Sequence, residues 1–579
     1  MTRPHRALSR TAASVVVAAL ALAGVGLSAA PASAASFEVT STADSGAGSL
    51  RAAITAANGS AGPDTITFQA GLGDILITSG PLVVTEGVTF DGPGSADLSI
   101  VRQGSFPVVT VDIDPAATAF DVEFNGLDFI GNSILDTGLA IEFIANDPEV
   151  DDITLSDTTF GGFANDYEGG AVSVFGATGN LTISDSTFVA NSTPFPGGAL
   201  YVETLVGTVR ITGTTFESNE SFYGGDGSAP EGGAIYIDSA AGIDFTDSVF
   251  TDNRTDGVGG AIAIDTIGTN SFIDLVTFSG NSAGLSGSIG NYGGAIYLGE
   301  IVTGAELVIS RTSILGSTLV EGTLESYGAG LYVTEIGGTL TIDSSTFAGG
   351  DFTGDATPLG AGLSIALCSI EEGGELTVID STFDEASENG EYAIHACNMN
   401  GELNILYSTL VAPGVLFVNN NNGSTFVTSS ILDAETEPDA IIVIDGNLVD
   451  VSWSLFSTPN NPFQINNLAG NRFSVADPKL GPLQNNGGPT PTRLPLPGSP
   501  ALDQGDPAVS GQPLWDQRGA GFPRVDGRID IGAIEVPRVL PNTGQAWSPE
   551  ILLAGVLLIV AGLGLALQAR GAIRRRRTT

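Results

Sequence analysis

The chain predicts an all-β fold, a right-handed parallel β-helix, and three observations lead there. Glycine pairs followed by apolar residues recur as GGAVSV at Gly169, GGALYV at Gly197, GGAIYI at Gly232, GGAIAI at Gly259 and GGAIYL at Gly293. Looser copies follow as GAGLYV at Gly328 and GAGLSI at Gly360, with successive starts 28, 35, 27, 34, 35 and 32 residues apart. A second phrase runs in phase with the first, as DSTF ending at Phe188, GTTF at Phe216, DSVF at Phe250, LVTF at Phe278 and DSTF at Phe383. Self-similarity at such a period is the mark of a stacked-repeat architecture. Composition is the third observation: 78 glycines and only 15% charged residues suit many short strands joined by tight turns.

Each element has a physical reason. Ala234–Ile237 and Ile243–Thr246 read as two short strands separated by turn residues, and no unit holds the amphipathic run that a helical repeat needs. A coil of about 28 residues fits one rung of a solenoid, whereas a propeller blade needs four strands and a longer period. Rungs stack at ~4.8 Å, so Phe188, Phe216, Phe250 and Phe278 should form an internal aromatic column. The glycine pair serves a corner where the backbone turns sharply. Chain length over period predicts about fifteen to eighteen rungs and a rod of ~70–90 Å. Cys368 and Cys397 lie 29 residues apart, about one rung, which stacks them as a candidate disulfide. His395 lacks the companions a metal site requires and reads as a packed side chain.

The two ends read as addresses. Arg3, Arg6 and Arg10 precede an apolar run to Ala30 and the small-residue pattern Ala32-x-Ala34. That is the pattern of a secretory signal peptide, residues 1–34, cleaved after Ala34. At the other end LPNTG, from Leu540 through Pro541, Asn542 and Thr543 to Gly544, is followed by the apolar run Ile551–Leu567 and then Arg574–Arg577. The run is long enough for a C-terminal transmembrane helix with its basic tail on the cytoplasmic side. This three-part end resembles the sorting signal of Gram-positive surface proteins. The resemblance implies that sortase cuts between Thr543 and Gly544 and joins Thr543 to peptidoglycan, so that the chain spans the membrane only before sorting.

Two further resemblances cover most of the rest. STADSGAGSLRAAITAANGSAGPDTITF, Ser41–Phe68, resembles the start of secreted bacterial parallel β-helix proteins, which are similar in style to polymorphic outer-membrane and adhesin-like repeats. There SLRAAI forms a short N-terminal capping helix; here Ser49 can cap it while Leu50, Ala53, Ile54 and Ala57 share one face. NNGGPTPTRLPLPGSPALDQGDP, from Asn485, and WDQRGAGFPRVDGRIDIGAIE, ending at Glu535, resemble the choice-of-anchor Q domain of β-helical surface proteins. The expected organisation is therefore a β-helix with its N-terminal cap over 35–470, a C-terminal cap region over 471–536 and the sorting signal over 537–579. Asp516, Arg518, Arg524, Asp526 and Asp530 read as an ion-paired cap on the last rung.

The chemistry is sparse. The formal charge is −45, and the two processing steps would take it to −52, which excludes a nucleic-acid footprint. Asp157, Asp185, Asp247 and Asp380 each stand three residues before a phase-setting Phe, so they restate the repeat rather than break it. They read as polar corners rather than an acid–base pair, with weak calcium binding by stacked aspartates as the alternative. No catalytic residue, metal site or cofactor is assigned. The expectation is a monomeric, non-enzymatic, wall-anchored surface protein that binds a glycan or a neighbouring cell surface. A polysaccharide lyase or hydrolase on the same fold is the alternative, and a purely structural wall component is a third. The search rule is to look where the repeated phrase is interrupted.

Overall fold

A computed structural model of the chain describes residues 34–537, except 113–119, 132–136, 145–149, 178, 225–228, 285–290, 321–325, 354–361, 386–391, 436, 460–463 and 509–511. The signal-peptide position Ala32, the motif Leu540–Gly544 and the apolar run Ile551–Leu567 all lie outside the described residues. Among the described residues no helix is long and apolar enough to cross a membrane.

The described residues form a parallel β-helix with three long faces and, from Ser192–Thr193 to Asp351–Thr353, a fourth stack of six short strands. On the first face sixteen strands stack in register, from Ser36–Val39 to Ile465–Ala469, a height of about 70 Å at the usual strand spacing. The second face holds fourteen strands, from Ile75–Ile77 to Leu455–Phe456. The third face carries the apolar half of the glycine phrase, for example Ile262–Ile267 under Ile296–Ile301. In the coils of Leu200–Thr212 and Ile235–Thr246 a single bent strand runs through the third and first faces. The two short strands expected around Ile237 and Ile243 are thus one element, because Ser239 and Ala240 keep pairing through the bend.

The interior is built from ladders. Phe160, Phe188, Phe216, Phe250 and Phe278 are fully buried, with successive ring centroids 4.6 to 4.9 Å apart. Ile314 interrupts the column, and Phe347 and Phe383 resume it at 5.0 Å. Three residues after the phase-setting Phe stands a buried asparagine. Asn191 donates to Asn219, Asn219 to Asn253 and Asn253 to Asn281, each at 3.0 Å. Each side-chain oxygen also accepts the backbone N–H of the asparagine one rung earlier, so the buried amides satisfy one another. A hydroxyl ladder lines a second corner: Ser345 N–H donates to Ser381 Oγ, Ser381 N–H to Ser408 Oγ and Ser408 N–H to Ser430 Oγ.

The corner beside the hydroxyl ladder explains the repeated aspartates. Asp157, Asp185, Asp247 and Asp380 have φ of 46°, 49°, 48° and 47°, left-handed values that Asp and Asn tolerate better than other side chains. They are turn residues. The glycine pair divides two tasks: Gly232 takes φ 63°, and a Cβ on Gly233 would sit 2.0 Å from the carbonyl oxygen of Gly260 on the next rung.

The two ends differ. The helix Leu50–Ala57 has Ser49 as N-cap accepting from the Ala52 N–H, and it buries Leu50, Ala53, Ile54 and Ala57. At the other end the DQRG segment is ion-paired, through Arg518 and Asp516 at 2.6 Å, but its position differs from a lid on the last rung. It lies along the flank of the stack. Gln517 bonds Thr346, Thr382 and the Ser345 carbonyl, Arg524 pairs with Asp380, and Gly532 donates to the Ser429 carbonyl. The hydroxyl-rich corner of these rungs offers lateral hydrogen-bonding groups that an end-on cap could not reach. Cys368 and Cys397 occupy consecutive rungs at matching positions, one residue beyond the Leu367–Ala396 pair, and no disulfide joins them. In-register parallel neighbours stand at the strand spacing of ~4.8 Å, wider than the Cβ separation a disulfide favours.

Candidate functional site

Alternation on the third face sends Ile235 and Ile237 inward and Tyr236 outward, and stacking turns that outward position into a column. Tyr201, Tyr236, Ala263, Tyr297, Tyr332 and Ala366 follow one another from rung to rung, then His395 and Phe417. Tyr201 and Tyr236 stack at 5.6 Å, and Tyr297 and Tyr332 at 5.8 Å. The repeated phrase reads as wall in the sequence, yet its tyrosine supplies an outward aromatic stripe. The signal for it is tyrosine at the same place in four of the phrases. Two alanines break the stripe, and chemistry gathers at both.

At the first break Tyr236 leans across Ala263 and donates to Asp265 Oδ2 at 2.8 Å. Burial and the neighbouring carboxylates Asp265 and Asp238 push Glu231 up to about 7. Burial also raises Asp265, against the hydrogen bond from Tyr236, and raises the phenol of Tyr201 to about 12. Three carboxylates therefore sense one another beside the aromatic stripe. Arg254 pairs instead with Glu220 and Asp256 at a half-exposed corner, and it is absent from the groups acting on Glu231.

The second break is open. A cavity of about 260 Å³ lies at Ala366, lined by Tyr292, Tyr327, Tyr332, His395, Asn398 and Asn419 together with both cysteines. The rings brace one another. Tyr292 and Tyr332 lie 4.5 Å apart, and His395 stands edge-on to Tyr327 at 5.1 Å and to Phe417 at 4.8 Å. His395 Nε2 lies 3.2 Å from Cys397 Sγ, and Asn398 donates to the Cys368 carbonyl at 3.2 Å. Burial raises the phenol of Tyr332, and the adjacent Cys368 adds to the effect. Aromatic faces plus side-chain amides at a cavity wall are the groups that hold a neutral polyhydroxylated ring, through stacking and hydrogen bonds.

Elsewhere the sequence candidates behave as structure. Asp157 accepts from Ser95 at 3.1 Å, and Asp380 is buried against Arg524. Among the described residues no three His, Cys, Asp or Glu side chains are placed to hold a metal ion. Two longer stretches between glycine phrases, 219–231 and 281–292, where the sequence offers loops for ligand contact, fall partly outside the described residues.

Neither a curated protein nor a solved structure matches the chain. Residues 275–299, part of one coil from the Leu275 corner to the strand that carries Tyr297, are similar to the Chlamydia polymorphic membrane protein repeat.

Proposed function

We propose that this chain is a non-enzymatic adhesion protein of a Gram-positive surface, anchored to the cell wall, which grips a neutral sugar residue in the cavity at Ala366. The cavity carries the reading, because it pairs aromatic walls with amide donors where the tyrosine stripe is interrupted. The acidic chain disfavours polyanionic glycans and nucleic acid. Similarity to a repeat named for membrane proteins supports a surface location. The signal peptide and LPNTG sequence supply the route: sortase as processing partner, peptidoglycan as covalent attachment, and the membrane only in transit. The working unit is a monomer.

Two measurements test it. On an array of neutral glycans the secreted chain should retain a defined subset. Tyr332→Ala, which removes a wall, and Ala366→Tyr, which completes the stripe and fills the cavity, should each weaken retention about tenfold or more. Retention unchanged by both would remove the cavity from the account. Separately, Thr543→Ala should abolish covalent attachment to the wall; attachment at the normal level would refute the sorting assignment.

A second reading rests on Glu231. A carboxyl pushed up to about 7 beside ionisable neighbours is the pairing that glycoside hydrolysis uses. Reducing ends released from a glycan, and lost in Glu231→Gln, would establish that reading in place of a binding-only function.

A further inference from the structure

The first described strand begins beside a carboxylate that is incompletely satisfied. Ala35 N–H donates to Asp64 Oδ1 at 2.7 Å, and Ala35 O accepts from Thr65 N–H at 2.9 Å, so Ala35 is held firmly on the first rung. Asp64 is 1% exposed. Ser60 also donates to its Oδ1, at 3.3 Å, but Oδ2 is buried with no hydrogen-bond partner. Two residues before Val88, the rung partner of Asp64, stands Glu86, whose Oε1 is likewise buried and unpartnered. Burial, with Asp64 adding repulsion, pushes the Glu86 carboxyl above the usual range. Two buried carboxylate oxygens therefore lack partners, one on the carboxylate that holds the Ala35 nitrogen and one on the Glu86 side chain that feels its charge, with no cationic side chain acting on Glu86. A buried carboxylate without a counter-charge is costly, and the sequence offers one.

We propose that Asp64 and Glu86 form a receptor for the α-ammonium group of Ala35, completed only when the signal peptide is removed. The inference rests on cleavage after Ala34. Ala34 is exposed, so the bond to be cut lies at the surface. In the cut a water adds across the Ala34–Ala35 amide and the C–N bond breaks. The water oxygen stays on the Ala34 carbonyl carbon, which leaves as a carboxylate, and both water hydrogens pass to the Ala35 nitrogen, which becomes an ammonium. The peptide N–H that already donates to Asp64 Oδ1 becomes one of three donors. Two new hydrogens thus appear where two carboxylate oxygens lack partners. Secretion then does more than address the chain: it supplies the charge that locks the first strand beneath the capping helix.

The composition makes the test clean. After both processing steps the chain holds two amines, the α-amine and the exposed Lys479. The secreted full chain is first read at its N-terminus by mass spectrometry, then treated with an amine-acylating reagent at pH 7, with Lys479 as internal reference. An unhindered α-amine, with the lower pKa, labels faster than a lysine. The proposal expects Ala35 at the terminus, its amine labelling about tenfold more slowly relative to Lys479 than in Asp64→Asn, with Glu86→Gln intermediate. Should Asp64→Asn fail to fold, Glu86→Gln alone must still raise the labelling ratio. A terminus other than Ala35 overturns the processing reading and this inference with it. A terminus at Ala35 that labels as fast as in the variants overturns only this inference, and neither result bears on the sugar cavity.

Discussion

Arg524→Met should destabilise the folded chain by about 3–5 kcal/mol at pH 8 and by clearly less at pH 5. Arg524 is fully buried on the flank of the stack, where it pairs with Asp380 and donates to the carbonyls of Gly532 and Ala533. Removing it strands a carboxylate buried away from solvent. Burial pushes Asp380 up to about 7 even with the arginine pulling the other way. The sign follows from that direction. A carboxyl near 4 when unfolded and raised in the folded chain contributes stability below pH 4, and the contribution fades as pH climbs through 7. Without Arg524 the folded-state value rises further, so the penalty for ionised Asp380 grows toward alkaline pH, while at pH 5 the carboxyl is protonated. Urea unfolding of both proteins at each pH reads the difference. Adding Asp380→Asn to Arg524→Met should recover part of the loss at pH 8; a deficit equal at both pH values would refute the ion-pair account.

Phe216→Ala should cost about 3–5 kcal/mol, among the largest effects of any single truncation in the core. Phe216 is fully buried and stacks on Phe188 at 4.7 Å and on Phe250 at 4.8 Å. Truncation removes the ring's own burial and opens a cavity between rigid rungs that cannot collapse along the stack without breaking ladder hydrogen bonds. Phe216→Leu should cost markedly less, because a fully apolar replacement keeps most of the volume; Ile314 already occupies the same column naturally. A stack of neighbour-coupled coils is weakened locally by such a cut. The urea transition of Phe216→Ala should therefore broaden as the two halves separate in stability. A sharp transition with an unchanged midpoint would show that the column contributes little.

Much of the fold could be read from residues, because a stacked architecture writes each contact into the chain once per coil. The capping helix was legible to its buried positions, Leu50, Ala53, Ile54 and Ala57, since a single amphipathic turn pattern follows a capping serine. The phenylalanine column was legible for the same periodic reason. The asparagine ladder through Asn219 was missed although it keeps equal time with Phe216. An amide reads as a loop residue until stacking shows that its partner is its own copy one rung away. The tyrosine stripe was hidden by treating GGAIYI as one unit; inward and outward positions alternate within it, and only the outward one faces chemistry. The interruption rule passed over both breaks: GGAIAI, which holds Ala263, counts as an intact copy, and Ala366 lies just beyond GAGLSI, where pairing with Tyr332 shifts by two residues from the phrase. The placement of the DQRG segment was beyond reading. Arg524 meets Asp380 across 144 residues of chain, a contact that no period announces.

That flank-docked segment has a mechanical consequence. A pull applied to the chain beyond Pro537 does not enter the stack at its final coil, Ile465–Ala469. It arrives first at Glu535 and Arg518, passes through Arg524 to Asp380 and through Gln517 to Thr346 and Thr382, and so loads the stack well before its end. The closing coils meet the segment as well, where Leu455 packs with Ile531 and Arg472 donates to Gln504, and the tether works as a strap bound around the shaft rather than a thread tied to its tip. Tension would have to strip several buried hydrogen bonds and a charge pair at once, instead of peeling one strand at a time.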